Sequence, residues 1–105
     1  MRIVAEEPLH DKLDEVIHQR VRLAIMSTLA GVESLEFGQV KSMLGLTDGN
    51  LSTHARVLEE AGYLAIHKRF RGRRPQTLYH LTPKGRAAFK QYVDNLEQML
   101  KGEQA

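Results

Sequence analysis

Between Thr47 and Gly62 the sequence reads TDGNLSTHARVLEEAG. It sets Gly49, Thr53 and Arg56 on one side of a helix, with Asn50 and Ser52 on the flanks. The spacing decides this: Leu51, Ala55 and Leu58 recur at i, i+4 and i+7, and at about 100° per residue the polar set falls opposite them. A merely solvated face usually carries Lys and Glu. Small polar side chains instead let a helix approach a surface closely. Asn, Ser, Thr and Arg can hydrogen-bond base edges in a major groove, and Arg56 suits the O6 and N7 of guanine. Arg56 also has a plainer reading, an ion pair with Glu60 at i+4, and Ser52 has one in a local backbone hydrogen bond. Taken alone, the stretch is a short amphipathic surface helix. The basic segment beyond Gly62 changes that reading.

From Ala61 to Val93 there are eight Lys or Arg residues and no Asp or Glu. Five of them, Lys68, Arg69, Arg71, Arg73 and Arg74, crowd around Gly72. Arginines without a nearby acid repel one another unless a polyanion joins them, so the segment is a candidate phosphate surface. Lys41 is a further candidate for a backbone contact, and Lys84 and Arg86 can add to it. The histidines carry less. His54 lies flanking to inward and reads as a structural side chain. His67 and His80 are candidate neighbours across a hairpin, readable as a simple exposed pair, a metal-binding pair or a pH sensor.

The remaining sequence limits the classes open to the chain. Its 105 residues suit one domain with one modest core. It has no cysteine, which excludes disulfides, thiolate zinc sites and a cysteine nucleophile. No apolar run approaches the roughly 18 residues of a membrane span, and MRIVAEEPLHDKLDE lacks the apolar core of a signal peptide. These features predict a cytosolic protein with no membrane partner. No nucleophile–base pair, phosphate loop or metal-ligand cluster stands out, so no enzyme, cofactor or metal is expected.

The elements that must position these residues are set by periodicity and punctuation. Met1–Pro8 reads as a loose lead-in. Leu9–Ala30 is a long helical pattern with a break near His18–Arg20, ended by Gly31. Its first part, 9–17, shows a narrow seam of Leu9, Leu13, Val16 and Ile17 of the kind that packs on a partner; its second part reads as core. Glu33–Phe37 is a short strand or an extended entry to the next helix. The segment 38–62 holds two helices around Gly45, the second (48–61) capped by Thr47 and stopped by Gly62. The segment 63–81 holds two strands around the turn Arg71–Pro75. Thr82-Pro83 opens a last helix over 83–101, with a seam of Phe89, Tyr92, Val93, Leu96, Met99 and Leu100. Gly102–Ala105 is a tail. Both seams are expected to serve dimerisation, since a domain this small cannot cover two long terminal helices alone.

The order predicts a mainly α chain with a small antiparallel β-wing (α+β): a winged helix-turn-helix whose terminal helices form a dimer interface. Residues 13–100 resemble the small winged-helix transcription regulators of the MarR and ArsR type. The likeness rests on RVRLAIMSTL (20–29), LSTHARVLEEAGYL (51–64), KRFRGRRPQTLYHLT (68–82) and LTPKGRAAF (81–89). It implies a cytoplasmic protein of a prokaryotic cytosol or nucleoid, a homodimer on an inverted-repeat operator in double-stranded DNA, acting as a regulator such as a repressor, with half-sites about 10 base pairs apart. It also implies a crevice for a small-molecule effector between the terminal helices and the DNA-binding lobe. The chain departs from metal-sensing members, having no Cys and no His on the last helix. A non-sequence-specific nucleic-acid binder and a protein-interaction module remain the alternative readings.

Overall fold

A computed structural model describes residues 7–102. Most of the expected lead-in Met1–Pro8 and of the tail Gly102–Ala105 lies outside them. The elements are α1 (Arg20–Ala30), β1 (Leu35–Glu36), α2 (Phe37–Leu44), α3 (Asp48–Glu60), β2 (Leu64–Arg71), β3 (Arg74–Leu81) and α4 (Pro83–Leu100).

Local chemistry sets most of these boundaries. Gln19 caps α1, its side-chain oxygen accepting from Arg22 N at 2.8 Å. Gln39 reaches back to the Glu36 amide at 2.8 Å and fixes the start of α2. Gly45, at φ 63°, ends α2. The Thr47 hydroxyl accepts from Asn50 N at the head of α3, and Gly62, at φ 83°, turns the chain out of it. There the amides of Gly62 and Tyr63 return to the carbonyls of Glu59 and Leu58, so the helix end is satisfied by backbone alone.

The strands form one antiparallel sheet in the order β1-β3-β2. Its register pairs Leu64 with Leu81, Ile66 with Tyr79, Lys68 with Thr77 and Phe70 with Pro75. The short strand expected near Glu33–Phe37 is β1, which pairs Leu35 with Tyr79 and Glu36 with Leu78. The hairpin turn is tighter than expected. Arg71, Arg74 and Pro75 belong to the strands, leaving Gly72 and Arg73 to make a two-residue loop with Gly72 at φ 64°. Glycine at the first central position suits a turn whose twist matches the strands.

The core gathers Ile25, Met26 and Leu29 from α1, Val40 from α2, Leu51, Ala55 and Leu58 from α3, Leu64, Tyr79 and Leu81 from the sheet, and Tyr92 from α4. The three apolar positions expected to share a face of α3 are all fully buried.

One expectation fails at the N-terminal side. Residues 9–17 are not a helix of the kind predicted: a 3-10 turn spans Leu9–Lys12, and irregular chain continues to Gln19. The cause is Asp14. Its carboxylate accepts from the amides of Val16 and Ile17, at 2.8 and 3.3 Å, satisfying donors that a continuing helix would have used. Leu13 and Ile17 then fold into the chain's own core, as does Tyr92 of α4, whose hydroxyl meets His18 Nδ1 at 2.8 Å. These three residues were expected to face a partner. They are internal instead, because one small core needs them. The apolar residues left nearer the surface on this side are Leu9, Val16, Phe89, Val93 and Leu96, all half-buried, with Met99 and Leu100 exposed.

Candidate nucleic-acid interface

Residues expected to touch bases stand where the periodicity puts them. Gly49, Asn50, Ser52, Thr53 and Arg56 lie along α3, clear of its buried face. They divide into two neighbourhoods. Ser52 and Arg56 line a groove of about 640 Å³ between α3 and the sheet, together with Glu59, Phe37, Ile66, Lys68, Thr77 and Tyr79. Asn50 instead borders a smaller recess with Leu44, Leu46 and the α1 residues Arg20, Val21 and Ala24. The plainer reading of Arg56 is not realised: among the described residues the ion pairs join His10 to Asp11, Lys41 to Asp48, Lys90 to Asp94 and Lys101 to Glu97. The Arg56 guanidinium stays available on the groove wall.

The wing is a two-stranded arm with cations at its end. Lys68, Arg69, Arg71, Arg73 and Arg74 are all exposed. Because side chains alternate along a strand, Lys68 shares the groove face with Ile66 and Thr77, while Arg69 and Arg71 point to the other face. There the Arg69 Nε–H donates to Gln76 Oε1 at 2.7 Å. Glu36 lines a recess with Arg71, Arg74, Pro75 and Gln76, and it lies outside ion-pairing distance of those arginines. Lys41, the further candidate for a backbone contact, has an acidic neighbour at the head of α3. Its ammonium is 2.7 Å from Asp48, so it braces α2 to the start of α3.

His67 and His80 do meet, with stacked rings 4.8 Å apart and planes 13° from parallel. They are diagonal neighbours, since His67 pairs with Leu78 and His80 with Ala65. No group of three or more His, Asp or Glu among the described residues is placed to hold a metal ion. His54 takes the structural part: its Nδ1 lies 3.2 Å from an Arg22 guanidinium nitrogen, and Arg22 Nε donates to the Val16 carbonyl. Burial, and then the Arg22 charge, hold the His54 pKa below its ordinary value. Helix α3 is thereby tied to α1 and to the N-terminal segment.

A second support was not visible from the sequence. The Tyr63 hydroxyl donates to Asp14, and this bond, with burial, pushes its pKa up to about 12. Lys84 stands 5.7 Å over the Tyr63 ring, and the Tyr63 carbonyl accepts from Thr82 N at 3.0 Å. Gly85 packs against that same carbonyl so closely that a Cβ would sit 2.1 Å from its oxygen. The sequence Leu-Thr-Pro-Lys-Gly thus locks α4 to the end of α3, and a Tyr directly after a helix-ending Gly is the signal that marks the site.

Comparison with known proteins places this geometry. The family model described as a winged helix DNA-binding domain matches residues 21–100. An uncharacterized protein of Methanocaldococcus jannaschii is 39% identical over 87 residues, covering 83% of this chain and 95% of that one. The structure of a transcriptional regulator homologue from Pyrococcus horikoshii aligns with a TM-score of 0.81 at 32% identity, covering 85% of this chain and 88% of that one. A MarR-family protein from Enterococcus faecalis shares the fold, with a TM-score of 0.69 at 24% identity over 83% of this chain and 77% of its own. The capped helix, the basic wing and a family match running from α1 to the end of α4 agree, and the chain belongs to the winged helix DNA-binding domain family.

Proposed function

We propose that the chain is a homodimeric, sequence-specific regulator of transcription that binds an inverted repeat in duplex DNA. α3 enters the major groove of each half-site, and the wing follows the backbone into the flanking minor groove. The observation that carries this reading is the groove in which Arg56 and Ser52 of α3 stand beside Lys68 and Thr77 of the wing. Base-reading and phosphate-reading side chains share one continuous surface there. In this reading Arg56 takes a guanine edge, and Gly49, Asn50, Ser52 and Thr53 set the fit of the helix to neighbouring bases. Lys68, Arg69, Arg71, Arg73 and Arg74 bind phosphates, and Arg is suited to that by its planar fork. Lys41 has the smaller role of holding α3 at its angle.

Leu9, Val16, Phe89, Val93, Leu96, Met99 and Leu100 supply the partner surface. No helix among the described residues is long and apolar enough to cross a membrane, which fits action in the cytoplasm. A small-molecule effector would enter between the terminal segments and the DNA-binding lobe.

The test is selection of the purified protein on a randomised duplex pool at physiological salt, where non-specific binding is weak. An enriched inverted repeat with half-sites about 10 base pairs apart is the expected result. Arg56→Ala should relax the motif at one position, at a cost of about 1–3 kcal/mol. Binding that lacks a motif and disappears with added salt would leave a non-specific nucleic-acid binder. No binding at all would leave a protein-interaction module.

A further inference from the structure

The wing carries one side chain that its charges do not explain. Phe70 is 75% exposed, and it is the one aromatic among the exposed large hydrophobic side chains of the described residues. It sits directly across the hairpin from Pro75. By strand alternation it shares the face of Lys68 and Thr77, which line the groove beside α3, but lies one step closer to the turn. Arg69, Arg71, Arg73 and Arg74 surround it in sequence. An arm that only gathered phosphates would be better served by a polar residue here, because water penalises an exposed ring.

The combination is an apolar point beside Lys68 on its own face of a strongly cationic arm, with Arg69 and Arg71 on the other face and Arg73 and Arg74 at the turn. A duplex has the complementary pattern, with charged phosphate rails outside and apolar base faces inside. An apolar protein surface would offer the ring a partner but would leave the arginines without counter-charges. We infer that Phe70, backed by Pro75, is a wedge that enters the minor groove beside each half-site and partly unstacks one base step. Proteins that insert apolar side chains in this way kink the duplex toward the major groove. Pyrimidine–purine steps open most readily, so the wedge selects sequence at a position that α3 does not reach. The inference rests on the duplex-binding reading above.

The experiment uses the full chain and a duplex recovered from the selection, or a mixed-sequence duplex of equal length if none is enriched. The fluorescent base 2-aminopurine is placed at one position at a time, and end labels report bending by energy transfer. The expected result is a fluorescence rise at a step roughly five base pairs, about half a helical turn, from the half-site centre, together with a bend. Phe70→Ala should abolish both while weakening binding by about tenfold or less. Phe70→Leu should retain part of each. Arg73→Ala should lower affinity and reduce the salt slope by about one, yet keep the fluorescence rise in the complexes that form. Binding with flat fluorescence at every position, or an undiminished rise with Phe70→Ala, overturns the wedge alone. Failure of the unaltered protein to bind any duplex overturns the reading beneath it, and the wedge with it.

Discussion

His54 shows how one side chain joins stability to α3. Its pKa lies below the ordinary 6.5 because burial and the Arg22 charge disfavour its protonated form. In the unfolded chain the ring takes up a proton first as the pH falls. The stability that depends on neutral His54 is therefore complete above about pH 6.5 and is lost as the pH falls from there toward the folded value. His54→Gln keeps an acceptor for Arg22 but cannot titrate. Thermal unfolding from pH 8 to pH 5 should show the advantage of the unaltered protein over this variant shrinking on acidification. An advantage independent of pH would remove His54 from the linkage. The structural role of His54 was legible in the sequence, because its angle on the helix is set by the positions of Leu51, Ala55 and Leu58. Its partner was not, since Arg22 is brought to it only by tertiary packing. Phe70 illustrates the opposite case: alternation puts it in line with Leu64 and Ile66, and only the structure shows that the face they begin is open by the time it reaches Phe70.

Among the elements, those with local punctuation were legible and those defined by distant partners were not. The ends of α3 could be read from Thr47 and Gly62 because caps act within one turn. β1 stayed ambiguous because two residues become a strand only when β3, some forty positions later, pairs with them. The stretch before α1 misled for a related reason. Its apolar spacing suits a helix, but one carboxylate at Asp14 competes for the same amides and wins. The junction of α3 and α4 supplies the test at this scale. Gly85→Ala would drive a methyl group into the Tyr63 carbonyl, which is backbone, so that no flexible side chain can move aside. Chemical denaturation should show a loss of about 2 kcal/mol or more, larger than the fraction of a kcal/mol that Gly→Ala usually contributes in a helix's favour. A neutral or stabilising result would mean that the two elements are not held at this separation.

For the molecule as a whole, the division between core and partner surface is the part that hydrophobic spacing alone could not decide. A seam on a terminal helix looks the same whether its own chain or a second copy covers it. Here Leu13, Ile17 and Tyr92 go inward, while Met99 and Leu100 remain 40% and 77% exposed at the end of α4. The double variant Met99→Asp/Leu100→Asp should sediment as a monomer where the unaltered protein sediments as a dimer, with the same helical circular dichroism. It should also bind a full inverted repeat no more tightly than a single half-site, since the gain from two linked contacts is gone. A monomeric unaltered protein at micromolar concentration would refute the expected assembly.

The sheet order has one more consequence. β2 is an outer strand, and beyond Ile66 its length is exposed. A row of open amides and carbonyls is a template on which another strand can add. A second wing approaching edge to edge would meet Lys68, Arg69 and Arg71 with its own copies of the same charges. The cations proposed to bind phosphates would thus also guard the molecule against self-assembly, and a wing stripped of them should be examined for solubility before it is examined for affinity.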